Sequence, residues 1–293
     1  MIESSDWQLG MQEEFVRDGI VSVEGALDPD FCEAVVADAF RRMGVVEDDR
    51  TTWPSGRTNL PVVRNWPLAE ISPVASAVVD EIVGADWVAF AGVQDNLIVN
   101  LPDPAQQWWA PTNADAATRG WHKDGDWFRH FLDSPEQGLL VIVFWRDVTE
   151  DQGATYVAMD SIGPIAELLA AHPEGLEPSQ LGPHVVDIVG RCRQLRALTG
   201  RQGTIAFAHP FLAHTASVNG TDRPRVISNS SVMLKEPMRF DRDPGSQSAL
   251  ERSILRHLRV EALQFEATGD RKRITSARAE SWKEQREQAS PSI

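Results

Sequence analysis

Residues 138–148 read Gly-Leu-Leu-Val-Ile-Val-Phe-Trp-Arg-Asp-Val, apolar for most of their length. A run of this kind, ended by charge at Arg146 and Asp147, predicts a strand covered on both faces. Working outward, the flanking segments are also short and strand-like: Trp87–Gly92, Asn96–Leu101, Gly153–Met159, His184–Val189, Gln194–Leu198, Gly203–His209 and Arg225–Lys235. Most are bounded by Gly, Pro, Asp or Asn. One helix, Ile162–Ala171, interrupts them after Ser161. Many short strands with glycine-rich turns predict a mainly β (α+β) sandwich or jelly roll rather than a βαβ fold.

The ends of the chain are helical. Met11–Arg17 is a short amphipathic stretch that breaks at Gly19, before the β-rich Ile20–Val23. Asp28-Pro29 opens a helix that runs to about Met43, with Asp28 as N-cap and Pro29 at its first position. Ser72-Pro73 repeats the device for a helix ending at Val83. Ser248-Ala-Leu-Glu251 is a capping box, followed by the apolar face Leu250, Ile254, Leu255, Leu258, Ala262. The expected organisation is one domain over 1–293, with a jelly-roll core over about 87–240, a helical extension over 245–268 and a polar, frayed tail over 269–293.

Composition narrows the function. Lys plus Arg is 28 and Asp plus Glu is 43, a formal net charge of −15, so a phosphate backbone would be repelled and nucleic acid is not the expected partner. The first 20 residues lack a continuous apolar stretch, and the longest apolar run is far too short to span a bilayer, so neither a signal peptide nor a membrane partner is expected. Two cysteines, Cys32 and Cys192, cannot build a disulfide framework and fit a reducing cytoplasm. A cytoplasmic monomer or homodimer acting on a small molecule is the expectation. Ten Trp stand against one Tyr, and most of the ten read as core.

Three motifs carry chemistry. In Trp121-His122-Lys123-Asp124-Gly125-Asp126, an extended chain turns His122 and Asp124 to the same side. An imidazole and a carboxylate there are two of the three ligands of a 2-His-1-carboxylate triad, the set that holds iron(II) with open positions. Alone the pair is a weak signal. The segment from His209 to Arg225 offers His209 and His214 for the third ligand; the spacing of His214 to Arg225 and the proline after His209 favour His214. Arg225 opens a strand, and a planar five-donor cation suits bidentate capture of a carboxylate, as a 2-oxoglutarate site requires. Val148–Thr155 supplies a tight turn between two strands. His130, His172, His184 and His257 read as structural.

Taken together these motifs resemble the phytanoyl-CoA dioxygenase family of non-haem iron(II)/2-oxoglutarate oxygenases, over about residues 10–240. His122 and Asp124 look like the family's first two ligands, and His214 with Arg225 like its distal histidine and co-substrate arginine. Gln152-Gly153-Ala154 sits where the family has an Asn-Gly turn, and Phe15–Ala26 looks like its opening. The resemblance implies a double-stranded β-helix (cupin-like), with His122, Asp124 and His214 as metal ligands, and iron(II), 2-oxoglutarate and O2 as reactants. Arg225 and Asn100 would face the co-substrate. Asn100 stands where many members have lysine, Ala216 replaces a frequent hydroxyl residue, and Ala158–Ile162 replaces a Pro-Gly-Ser-His turn. Because Asp124 occupies the position that halogenating relatives leave small, the resemblance implies hydroxylation, desaturation or C–O ring formation.

Asp126, Trp127, Phe128 and Arg129 are candidate substrate residues, and Leu101–Gly120, with Trp108-Trp109, is long enough to be a lid. Aromatic faces and acids suit a polar or sugar-containing natural product, such as those of antibiotic biosynthesis. An acyl-CoA or amino acid is the alternative within the family. Outside it, the same triad could serve a non-oxidative isomerase or hydrolase, or the barrel could be a binding module without catalysis.

Overall fold

The computed structural model describes residues 4–102, 107–276 and 280. In chain order its strands are β1 Ile20–Val23, β2 Arg57–Asn59, β3 Asn65–Pro67, β4 Val88–Phe90, β5 Gly92–Gln94, β6 Ile98–Asn100, β7 Leu139–Phe144, β8 Thr155–Ala158, β9 Leu195–Leu198, β10 Ile205–Ala208, β11 His214–Ala216 and β12 Arg225–Leu234. The helices are α1 Ser4–Asp18, α2 Pro29–Met43, α3 Leu68–Ile71, α4 Pro73–Val83, α5 Ile162–Ala171, α6 Pro178–Val189 and α7 Ala249–Leu258.

Two antiparallel sheets form the jelly roll. The large one has the order β1-β10-β7-β12-β6-β2, with β4 also pairing with β12; the small one is β11-β8-β9. β7 is central and all six of its residues are buried, as its unbroken apolar sequence requires. On the side of the small sheet, Ile142 and Ile227 line a cavity together with Thr155 and His214. The helical caps act as their sequences predict: the Asp28 side chain accepts from the Asp30 and Phe31 amides, and Ser248 and Glu251 close a reciprocal capping box.

Four expectations are corrected. His184–Val189 is the end of helix α6, not a strand. Its β-branched residues suggested extension, but Glu177 and Gln180 form a capping box with Pro178 at N1, and the buried Leu181, Val185, Ile188 and Val189 recur at helical spacing. Trp87–Gly92 is not one strand: Trp87 ends a 3-10 turn at Ala85–Trp87, Val88–Phe90 forms β4, and Gly92 opens β5 after a break at Ala91. The amphipathic Met11–Arg17 is the end of a longer helix, Ser4–Asp18. The start of the polar tail is not frayed. Arg129 N–H donates to Lys272 O at 3.0 Å, Ile274 N–H donates to Trp127 O at 2.8 Å, and Arg271 makes a two-oxygen contact with Asp133 at 2.7 Å. Polar pairing orders this segment where apolar burial could not. Residues 103–106 of the expected lid, and Trp282 with the rest of 281–293, lie outside the described residues.

Candidate metal centre

The two histidines are locked together through their backbones. His122 N–H donates to His214 O at 3.0 Å and His214 N–H donates to His122 O at 2.9 Å, an isolated antiparallel bridge that attaches the 122–124 segment to β11. Each ring is then fixed from behind. Nδ1 of His122 lies 2.8 Å from Gly120 O, and Nδ1 of His214 lies 3.0 Å from Leu212 O. A carbonyl oxygen only accepts, so both Nδ1 atoms carry the proton, and Nε2 is the nitrogen that each ring turns into the site. These Nε2 atoms approach the Asp124 carboxylate at 3.4 and 3.5 Å. One donor atom from each of His122, Asp124 and His214 lies within 4.8 Å of the others.

Asp124 is held in place as well. Asn229 Nδ2 on β12 donates to its Oδ2 at 2.8 Å. Burial alone would raise the Asp124 carboxyl; the two imidazoles overcome it and hold the group well below the usual carboxylate range. Gly125 turns the chain immediately afterwards with φ +115, and a Cβ there would fall 2.6 Å from the His130 ring. Lys123, between the two candidate ligands, points the other way. Its Nζ reaches Gln137 Oε1 at 3.0 Å, His130 Nδ1 at 3.1 Å and Asp124 O at 3.2 Å, pinning the loop from beneath. Burial lowers this amine to about 7 against the pull of Asp124 and Glu136. Lys123 has no role assigned to it in the sequence analysis; the alternation that brought out His122 and Asp124 also sends Lys123 inward.

Arg225 faces the candidate ligands from the other end of a shared cavity. It is fully buried, lines the same cavity of about 240 Å³ as the three candidate ligands, and spends only one nitrogen on the protein: Nη1 donates to Thr155 Oγ1 at 3.3 Å. Among the described residues its Nε and Nη2 find no hydrogen-bond partner. Burial, with the nearby charge of Arg57, pushes the guanidinium down to about 9. A buried cation with two orphaned donors is costly unless an anion completes it. Thr155 lies directly opposite Ala216 in the β8–β11 pairing, so a hydroxyl reaches this end of the cavity from across the sheet, where Ala216 offers none. Thr155 was missed because only strand register reveals it.

The remaining candidates divide. His209 lies outside the cluster; its Nδ1 accepts from Phe211 N–H at 3.0 Å deep in the core. Asn100 is buried but spends its amide on Ser217 O at 3.0 Å, with Gly153 closed against it, and does not line the cavity shared by Arg225 and the triad. Asp126 and Trp127 line a neighbouring cavity of about 310 Å³ with Asp124, Asn96, Asn229 and Ser276. Phe128 is fully buried beneath Gly125, and Arg129 is paired with Glu177 at 2.7 Å, so neither lines that cavity.

Among solved structures, the chain is similar to the non-heme alpha ketoglutarate dependent epimerase SnoN from nogalamycin biosynthesis, at 20% identity and TM-score 0.48 over 78% of this chain and 84% of that one. It is similar also to the carbocyclase SnoK of the same biosynthesis (15%, 0.43, 78% and 85%). A third is HygX from Streptomyces hygroscopicus, solved with nickel and 2-oxoglutarate bound (13%, 0.41, 75% and 84%). No family model matches the sequence, and no curated protein matches it. Likeness at these identities assigns no chemistry to this chain, whose chemistry is read from its own side chains.

Proposed function

We propose that this chain is an iron(II)- and 2-oxoglutarate-dependent oxygenase that oxidises a C–H bond of a polar, sugar-containing natural product. The observation that carries the reading is a single cavity with two complementary ends: two imidazole Nε2 atoms and a carboxylate at one, a buried guanidinium with two unpartnered nitrogens at the other. An isomerase or hydrolase with the same triad would have no use for the second end.

The donor set fits iron(II): two neutral imidazoles and one carboxylate leave half an octahedron open. His122, Asp124 and His214 would hold the metal, and Arg225 with the Thr155 hydroxyl would take the distal carboxylate of 2-oxoglutarate. Bound together with O2, these reactants supply a two-electron oxidation, in which 2-oxoglutarate becomes succinate and carbon dioxide while the substrate C–H bond is oxidised. Asn229 orients the ligand carboxylate and the Gly120 and Leu212 carbonyls fix the ring tautomers. The substrate reading rests on the cavity beside Asp124, where side-chain amides, serine hydroxyls and the Asp126 carboxylate surround the Trp127 and Phe90 faces. That lining offers hydrogen bonds to hydroxyls and a stacking surface, and includes no cation for the phosphates of a CoA ester.

Anaerobic addition of iron(II) and then 2-oxoglutarate tests the reading. A weak visible charge-transfer band that needs both components is expected. Bound iron without such a band would overturn the co-substrate assignment, and succinate release across a natural-product library would identify the substrate.

A further inference from the structure

Arg57 opens β2, the edge strand of the large sheet, and its register sets it directly opposite Asn100 of β6. Asn100 is in turn directly opposite Arg225 of β12. Residues facing each other across an antiparallel pair project to the same side of the sheet, so Arg57 and Arg225 flank Asn100 on the side of the small sheet. Both line the cavity that leads to His122, Asp124 and His214. Asn100 between them adds no charge, and its amide is committed to Ser217 O. The two guanidiniums are near enough that the charge of Arg57 adds to burial in disfavouring the cationic form of Arg225.

The two arginines reach different places. Arg225 lies fully buried at one end of the cavity. Arg57 stands at the exposed mouth and also lines a second cavity of about 350 Å³, whose wall includes His122, Asp124, Asp126 and Leu181. It therefore sits where the two cavities meet, beside the candidate metal ligands. A 2-oxo acid that binds a metal through its keto end brings a carboxylate to that place. In a chain of net charge −15, a dianion needs a local cation at each end to be drawn in. The geometry points to Arg57 as the partner of the carboxylate that a 2-oxo acid presents beside the metal, with Arg225 taking the distal one. This rests on the 2-oxoglutarate reading above and adds a positioning residue to it.

The test is calorimetric titration of the full chain loaded with manganese(II), which binds without turnover. Two probes are used: 2-oxoglutarate, and 2-oxopentanoate, which has the same keto-acid end and no distal carboxylate. Arg57→Gln should weaken both probes by a similar factor, about tenfold for the loss of a charge-assisted pair. Arg57→Lys should recover part of that loss. Arg225→Gln should weaken 2-oxoglutarate alone, down to the level of 2-oxopentanoate. Manganese affinity should be unchanged in Arg57→Gln, since a guanidinium is no ligand to the metal, and the melting temperature recorded beside it reports any loss of fold. Wild-type affinity for both probes in Arg57→Gln, or a loss confined to 2-oxoglutarate, would overturn the assignment. If the manganese-loaded wild type binds neither probe, the 2-oxoglutarate reading itself falls.

Discussion

Asp124 is the residue on which the candidate site turns, since it touches both imidazoles and one amide at once. Asp124→Ala should abolish 2-oxoglutarate-dependent succinate release while leaving the circular-dichroism spectrum intact; retained turnover at saturating iron would remove Asp124 from the ligand set. Asn229→Ala is the subtler probe: losing the amide that orients the carboxylate should weaken metal binding about 10- to 100-fold, read by metal titration. Arg225→Lys keeps the charge but loses the fork, and should raise the Michaelis constant for 2-oxoglutarate roughly tenfold to a hundredfold. Arg223→Lys should be silent, because Arg223 is exposed and lines a different, outer groove. At this scale the sequence was legible where spacing along the chain mattered: His122 two residues from Asp124, a weak pair on its own, and His214, with His209 as its rival, ahead of a strand-opening Arg225. It was mute on Thr155 and Asn229, which reach the site from other strands and have no local pattern to betray them.

At the level of elements, the helices announced themselves where polar signals agreed with the apolar period. Asp28-Pro29, Ser72-Pro73 and Ser248-Glu251 all start helices at the expected residues. Helix α6 was misread because Val185-Val186 and Ile188-Val189 favour extension locally, and the packing of Leu181, Val185 and Ile188 overrode that preference. The tail was misread for the opposite reason: its order comes from backbone pairing to 127–129 and from Arg271 on Asp133, neither of which hydrophobic periodicity detects. Arg271→Ala should therefore cost about 1–3 kcal/mol. It should also speed hydrogen exchange at the Arg129 amide, while exchange in the central strand β7 stays slow. Equal protection of Arg129 in both proteins would show that Arg271 does not hold the segment down.

Across the whole molecule, acid should expose a stored cost. His209 is fully buried, and burial, with the charges of His257 and Lys123, keeps its ring neutral well below the usual imidazole range. The unfolded chain binds a proton there as pH falls through about 6.5 and the folded chain does not. Stability is thus complete above that pH and declines beneath it. His209→Gln keeps an acceptor for the Phe211 amide and removes the titration. Its unfolding free energy from urea titration should fall less steeply between pH 6.5 and 5, by up to about 1.4 kcal/mol per pH unit; identical slopes would place the acid sensitivity elsewhere. The reciprocal backbone bond between His122 and His214 has a mechanical side. It is a hinge pin at the mouth, joining the 122–124 segment to β11 at the edge of the small sheet. An ion gripped by the same two residues would fasten side chain to side chain over a joint already fastened main chain to main chain. Breathing of that joint and escape of the ion then become one event, so the slowest-exchanging amides of the loop and the residence time of the metal should rise and fall together.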